Sequence, residues 1–251
     1  MDAVWPNSDG ANKRFIFEHE LVVSNSEASK KAREMTAASR NWALTARDAR
    51  IFELLTRRVL LATAKQLARG YWPPSDSAAS SARERLRVLV RIGLLEMFAV
   101  RAHPELSLDQ PVWSWKPGEP LPPCGSLSYR LRTRWAEAFK PIQIFTASER
   151  LGRRFAGRGG CLNHPLQATH DLHVTTVYLH KLKVNPAEAS AWVSDAVLAP
   201  LRRGQKLPDA EIHDQNGRTI KVIEFGGSYP PERLRKVHDD CEIRQVPYEL
   251  W

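Results

Sequence analysis

Apolar residues recur at helical spacing from Thr45 onward. Ile51, Leu54, Leu55 and Val59 stand at i, i+3, i+4 and i+8, which predicts an amphipathic helix with Asp48 as its cap. Thr63 is placed to cap a short second helix carrying Leu67, closed at Arg69-Gly70 and followed by a Trp72-Pro73-Pro74 turn. A third helix, opened by Ser75 or Ser77, puts Ala79, Ala82, Leu86, Leu89 and Gly93 on one stripe. Its opposite face collects Ser77, Ser80, Glu84, Arg87 and Arg91, with Arg83 and Arg85 on the flanks. The run Leu94–Val100, a loop from Ala102 and the β-like Val112–Trp115 follow. Three helices and then two strands predict a winged helix-turn-helix, with Val112–Trp115 as the second wing strand.

After Pro111 four prolines within PVWSWKPGEPLPP forbid a helix, so this stretch is read as a connector. Further on, Pro141–Phe145 predicts a strand. A helix starts at Thr169 or Asp171 with Leu172, Val174, Val177, Tyr178 and Leu182 as its apolar positions, and Ala187–Leu201 reads as a second helical stretch. Pro208–His213 and Arg218–Phe225 are two strand-like runs joined by Asp214-Gln215-Asn216-Gly217, and Asn-Gly supplies the positive φ angles of a hairpin turn. A helix over 231–241 and a strand over 246–250 complete an α/β module. The predicted class is therefore α+β, in three parts: an arm over 1–44 that is flexible or docks a partner, a winged helix over 45–123, and a small α/β domain with a basic connecting helix over 124–251.

Composition narrows the function. The 251 residues are 43% hydrophobic, enough for a sizeable core, and carry 37 basic against 28 acidic side chains, a formal net charge of +9. No apolar run approaches the ~20 residues that span a bilayer. Cys124, Cys161 and Cys241 form no C-x-x-C pair, which disfavours a disulfide scaffold or a zinc module and suits a reducing cytoplasm. The positive charge favours a polyanion as partner. It concentrates in Ser126–Arg158, where Arg130, Arg132, Arg134, Lys140, Arg150, Arg153, Arg154 and Arg158 face only Glu137 and Glu149.

Two regions could carry chemistry. A helix in the major groove needs an apolar face to seat it and an opposite face of donors for base edges and phosphates. Ser77, Ser80, Arg83, Arg85, Arg87 and Arg91 supply that face, Arg101 and Lys116 the wing, and Arg130, Arg132 and Arg134 a basic segment that could follow the backbone; a merely solvated basic surface is the other reading. The second region is Asp209 after Pro208, with Glu224 one hairpin later. Restriction-endonuclease-like nucleases hold a divalent metal with an Asp at a strand bend and a Glu on the neighbouring strand, and a Lys two residues after the Glu polarises the attacking water. Here that position is Gly226. Lys221 is at an odd offset and should face the other side of the sheet, which leaves Lys236 on the next helix, or Arg233, as the substitute. His170 and His173 lack a third metal ligand nearby and are read as capping and packing residues. No P-loop, Gly-x-Ser-x-Gly or Gly-x-Gly-x-x-Gly occurs, which disfavours P-loop hydrolases, serine hydrolases and dinucleotide enzymes.

The order Arg47-Asp48…Ile51…Leu54, Gln66-Leu67…Tyr71-Trp72, Ala82-Arg83-Glu84-Arg85-Leu86…Leu89…Gly93-Leu94-Leu95, Trp115-Lys116-Pro117-Gly118, Arg134-Trp135, His170…Val174, Pro208-Asp209-Ala210 and Glu224 resembles the replication-relaxation family of plasmid and mobile-element proteins. The resemblance covers Thr45 to the C-terminus. It implies an N-terminal winged helix, a restriction-endonuclease-like C-terminal domain, and a role in replication, mobilisation or transcription control of bacterial mobile DNA. The expectation is a cytoplasmic, sequence-specific binder of double-stranded DNA with an inactive nuclease-like domain, no cofactor, no membrane partner, and a homodimer or larger protein–DNA assembly as its form. Two alternatives stand beside it: a Mg²⁺-dependent endonuclease using Asp209 and Glu224, and a non-catalytic assembly subunit that docks proteins.

Overall fold

The computed structural model describes residues 43–160 and 167–251. The arm expected over 1–44 lies almost wholly outside the described residues, as does Cys161. The chain divides into two units, 1–50 and 51–251. Helix α1 (Ala46–Glu53) begins in the first and ends in the second. Its first turn is closed reciprocally: Asp48 Oδ2 accepts from the Thr45 amide at 2.8 Å, and Thr45 Oγ1 accepts from the Asp48 amide at 3.2 Å. Thr45 is thus the cap and Asp48 its third-position partner, a correction of three residues to the expected start.

The larger unit is mixed α+β, with helices leading into sheet. A π-helical turn, Leu54–Arg58, extends α1. There Thr56 Oγ1 donates back to the Phe52 carbonyl at 2.6 Å, while the Thr56 carbonyl is taken by the Arg158 amide at 2.8 Å. Helix α2 (Ala64–Tyr71) carries the Thr63–Gln66 capping box, and α3 (Ala78–Arg91) buries Ala82, Leu86 and Leu89 as their spacing predicts. Strand β1 (Leu95–Ala102) follows.

The partner of β1 differs from the expectation. It pairs antiparallel with β3 (Lys140–Ala147), from Leu95↔Ala147 to Ala102↔Lys140, and Ala62 bridges to Phe145 on the other edge of β3. The run Trp113–Trp115, strand β2, instead pairs with β7 (Tyr248–Leu250) in a separate five-stranded sheet. Trp115 decides this. It is buried and stacks on Tyr248 with ring centroids 5.6 Å apart, among Leu127, Leu131, Val237 and Leu250. The β1–β3 sheet takes Ile144 in the same way, packed with Leu61, Val100, Ala102 and Leu172. Residues 103–139 therefore leave one sheet, lend β2 and α4 (Cys124–Thr133) to the other, and return. Strand pairing crosses the expected boundary after residue 123 in both sheets.

The second sheet runs β2-β7-β6-β5-β4, antiparallel except for the parallel β6/β7 pair. Strands β5 (Ala210–His213) and β6 (Thr219–Glu224) form the expected hairpin; Gly217 sits at φ 76° and Asp214 Oδ1 accepts from the Asn216 and Arg218 amides. Between α6 (Ala168–Val184) and β5 the expected helix over Ala187–Leu201 is broken into α7 (Pro186–Ser190), β4 (Trp192–Ser194) and α8 (Asp195–Leu198). Trp192, fully buried against Tyr178 and paired with Ile212, holds that stretch in the sheet. Helix α9 (Pro231–Arg244) connects β6 to β7 and packs with α4 on one face of the sheet. On the other face Lys221 binds Glu188 (2.5 Å) and Glu249 (2.8 Å), and Lys181 binds the same two carboxylates, so Lys221 points away from Glu224 as its offset predicts. A short α5 (Glu149–Arg154) follows β3.

Candidate functional site

The basic face of α3 forms as expected. Arg83, Arg87 and Arg91 recur at four-residue intervals, lie exposed opposite Ala82, Leu86 and Leu89, and are engaged by no other described residue. Ser77 and Ser80 sit at the start of the same face, where Ser80 Oγ donates to the Ser77 carbonyl. Arg85 is turned toward the flank, half-buried and engaged. Arg101 is exposed on β1, whereas Lys116 follows β2 and so belongs to the edge of the five-stranded sheet, not to a wing.

The basic segment is not a uniform track. Arg130 and Arg132 are exposed on α4. Arg134 is withdrawn: its guanidinium lies 4.5 Å from the Phe225 ring centroid, Nη2 reaches the Trp251 carbonyl at 3.4 Å, and burial lowers its pKa to about 10. Held over an aromatic face and partly desolvated, Arg134 is not presented at the surface as Arg130 and Arg132 are.

Asp209, one residue ahead of β5, lies opposite Glu224, the last residue of β6, so the two expected acids do meet. The Phe225 amide donates to Asp209 Oδ2 at 2.6 Å and the Asp209 amide lies 3.4 Å from Glu224 Oε2. The amine beside them is not the one expected. Lys236 is exposed on α9 and lines a different cleft, with Pro122, Pro123 and Asp239. Lys206, from the loop after α8, puts Nζ 2.9 Å from Glu224 Oε1, and the Tyr229 hydroxyl donates to the same oxygen at 3.0 Å. Arg233, the other expected substitute, donates to the Tyr229 hydroxyl at 2.9 Å and stacks on its ring, one shell further out. On the other side His170 Nε2 is 3.1 Å from Asp209 Oδ1, and its Nδ1 is 3.2 Å from Asp171. His170 is thus more than the capping residue expected. The spacing from His170 to Asp209 carries no sequence signal; only α6 lying beside the hairpin joins them.

Burial governs the charges. It works against a proton on His170, yet Asp209 and Asp171 outweigh it and hold the imidazolium well above its ordinary range. Asp209, equally desolvated, is pulled below the usual carboxylate range by His170. Glu224 is 1% exposed, and burial together with the charge on Asp209 makes it the weaker acid of the two. His173, by contrast, is a packed neutral ring, as expected: burial lowers it to about 4, Nε2 accepts from the Leu106 amide, and the ring stacks on Phe225 at 5.0 Å. Outside the acids lies a cleft of about 480 Å³ lined by Arg58, Trp135, Phe139, Asp195 and Arg233. Trp135 stacks on His103 (4.6 Å) and donates to Ser228. Such a cleft at strand ends, with shifted acids and bases in its wall, has the character of a functional site.

Both carboxylates already have internal partners. Each oxygen of Asp209 and Glu224 already faces an internal donor: His170, the Phe225 amide, Lys206 with Tyr229, and the Asp209 amide. Among the described residues no group of three or more His, Cys, Asp or Glu is arranged to hold a metal. A Cβ at position 226 would come within 2.7 Å of Leu131 Cδ1 and 3.0 Å of Leu250 Cδ1, so a side chain there requires these two leucines to shift. No helix among the described residues is long and apolar enough to cross a membrane. No protein-family model, curated protein or solved structure matches the chain.

Proposed function

We propose that the chain is a sequence-specific double-stranded DNA-binding protein of bacterial cytoplasm, a winged helix joined to a restriction-endonuclease-like domain that does not cleave, acting on mobile DNA as the replication-relaxation resemblance implies. The observation that carries this reading is the exposed row Arg83, Arg87 and Arg91 on a helix seated by Ala82, Leu86 and Leu89. A row of guanidiniums at four-residue spacing presents bidentate donors along one groove-facing line. The order helix, Ala62 bridge, two helices and then β1 paired with β3 supports the winged-helix assignment, with 103–139 as an enlarged wing connection. The order α6-α7-β4-α8-β5-β6-α9-β7, with acids where β5 begins and β6 ends, supports the nuclease-like one. The engaged carboxylates favour binding over the alternative of a Mg²⁺-dependent endonuclease.

Arg87→Ala or Arg91→Ala should each weaken specific binding by about 1–3 kcal/mol and relax preference at one base position, if the lost contact is bidentate. Electrophoretic titration against a selected site and a random duplex measures both. Equal affinity of parent and variants for every duplex removes α3 as the reader and leaves the protein-docking alternative.

A further inference from the structure

Glu224 is buried, Asp209 lies half-buried beside it, and the Lys206 ammonium and the His170 imidazole meet them from opposite sides. Lys206 comes from the loop that precedes β5, and His170 from the first turn of α6. Neither element belongs to the β5–β6 hairpin that carries the acids. We propose that Lys206 and His170 are the built-in partners of this carboxylate pair, their nitrogens occupying the positions on Glu224 and Asp209 that a divalent ion would need, so that the site is complete without metal.

The argument is one of charge and space. A paired ion that loses its partner inside a protein keeps its desolvation cost, so an added cation gains only if it replaces the internal ones. To take the place of these two nitrogens, a divalent ion must expel the Lys206 ammonium from 2.9 Å and the His170 imidazole from 3.1 Å, and then share a site with the displaced ammonium. Tyr229 closes Glu224 from above, since its hydroxyl donates inward and is itself held by Arg233. This inference stands independently of DNA binding, because it concerns only what neutralises the acids.

The test is thermal unfolding of the full chain. The melting temperature of the parent should be the same in EDTA, Mg²⁺ and Mn²⁺. Lys206→Met should lower it by roughly 5–10 °C by stranding Glu224, and adding Glu224→Gln to that variant should recover most of the loss. A Mn²⁺-induced rise in the parent that Asp209→Asn abolishes would overturn the proposal, as would a Lys206→Met protein as stable as the parent. Should Lys206→Met fail to fold, the parent titration decides alone, since absence of a shift supports the proposal and an Asp209-dependent shift refutes it.

Discussion

Lys206 and Glu224 are eighteen residues apart in sequence and 2.9 Å apart in space, an ammonium against a carboxylate that is 1% exposed. The contact is made by a loop lysine folding over the mouth of the β5–β6 hairpin, and it supplies the amine that Gly226 lacks. With His170 on Asp209, it gives each acid a nitrogen partner from outside the hairpin.

Salt should report how much of the basic surface meets DNA. Arg83, Arg87, Arg91 and Arg101 alone predict a slope of log K against log salt of about −3 to −4, since each phosphate contact contributes about −0.9. If exposed Arg130 and Arg132 share the duplex, the slope steepens to roughly −5. A slope shallower than about −2 would make protein, not DNA, the principal partner.

Supercoiled DNA incubated with Mg²⁺ or Mn²⁺ should remain uncut. Cleavage needs a metal-held water beside the scissile phosphate, and the carboxylate oxygens here are spent on internal donors. Nicking by the parent that is lost in both Asp209→Ala and Lys206→Ala would promote the endonuclease reading, whereas nicking indifferent to both would trace to a contaminant.

His173 should make stability fall with acid well above the carboxylate range. Its folded pKa, depressed to about 4 by burial, lies below its ordinary 6.5, so the unfolded chain takes up the proton first. Stability is full above 6.5 and declines as the pH drops toward 4, with a slope of up to about 1.4 kcal/mol per pH unit. Denaturant unfolding from pH 7 to 4 should show this limb in the parent and lose it in His173→Phe; an unchanged limb would assign it to other groups.

The four-charge cluster under the sheet should act lower on the pH scale. Burial opposes the charges on Glu188 and Glu249, but Lys181 and Lys221 hold both acids below their ordinary values, while Lys221 is raised. The depressed acids contribute stability present above about 4.5 and lost as the pH falls through their folded values; the raised lysine contributes stability lost only above 10.5. Glu249→Gln should cost about 3 kcal/mol at neutral pH, because it leaves the buried Lys181 and the half-buried Lys221 ammoniums with one full partner. Calorimetry would check it, and a cost below roughly 1 kcal/mol would mean that solvent already screens the cluster.

The sequence alone determined the elements whose signals are local. Leu86 and Leu89 at helical spacing, the Thr63 cap and the Asn216-Gly217 turn each specify their own conformation within a few residues, and the structure places all of them as read. The meeting of Asp209 with Glu224 was legible for the same reason, since a tight hairpin fixes its own register. Partner choice was not. Trp113–Trp115 and Lys140–Ala147 are both credible second strands for β1, and only the buried Trp115–Tyr248 stack and the Ile144 packing assign them. Trp192 held a helix-like stretch in the sheet for the same reason. The amine at Glu224 and the imidazole at Asp209 were equally out of reach, because Lys206 and His170 arrive from elements with no fixed spacing to the acids. Backbone conformation is set by neighbours along the chain, whereas charge pairing in a buried site is set by whatever the packed elements bring within a few ångströms, and that is decided only when the layers close.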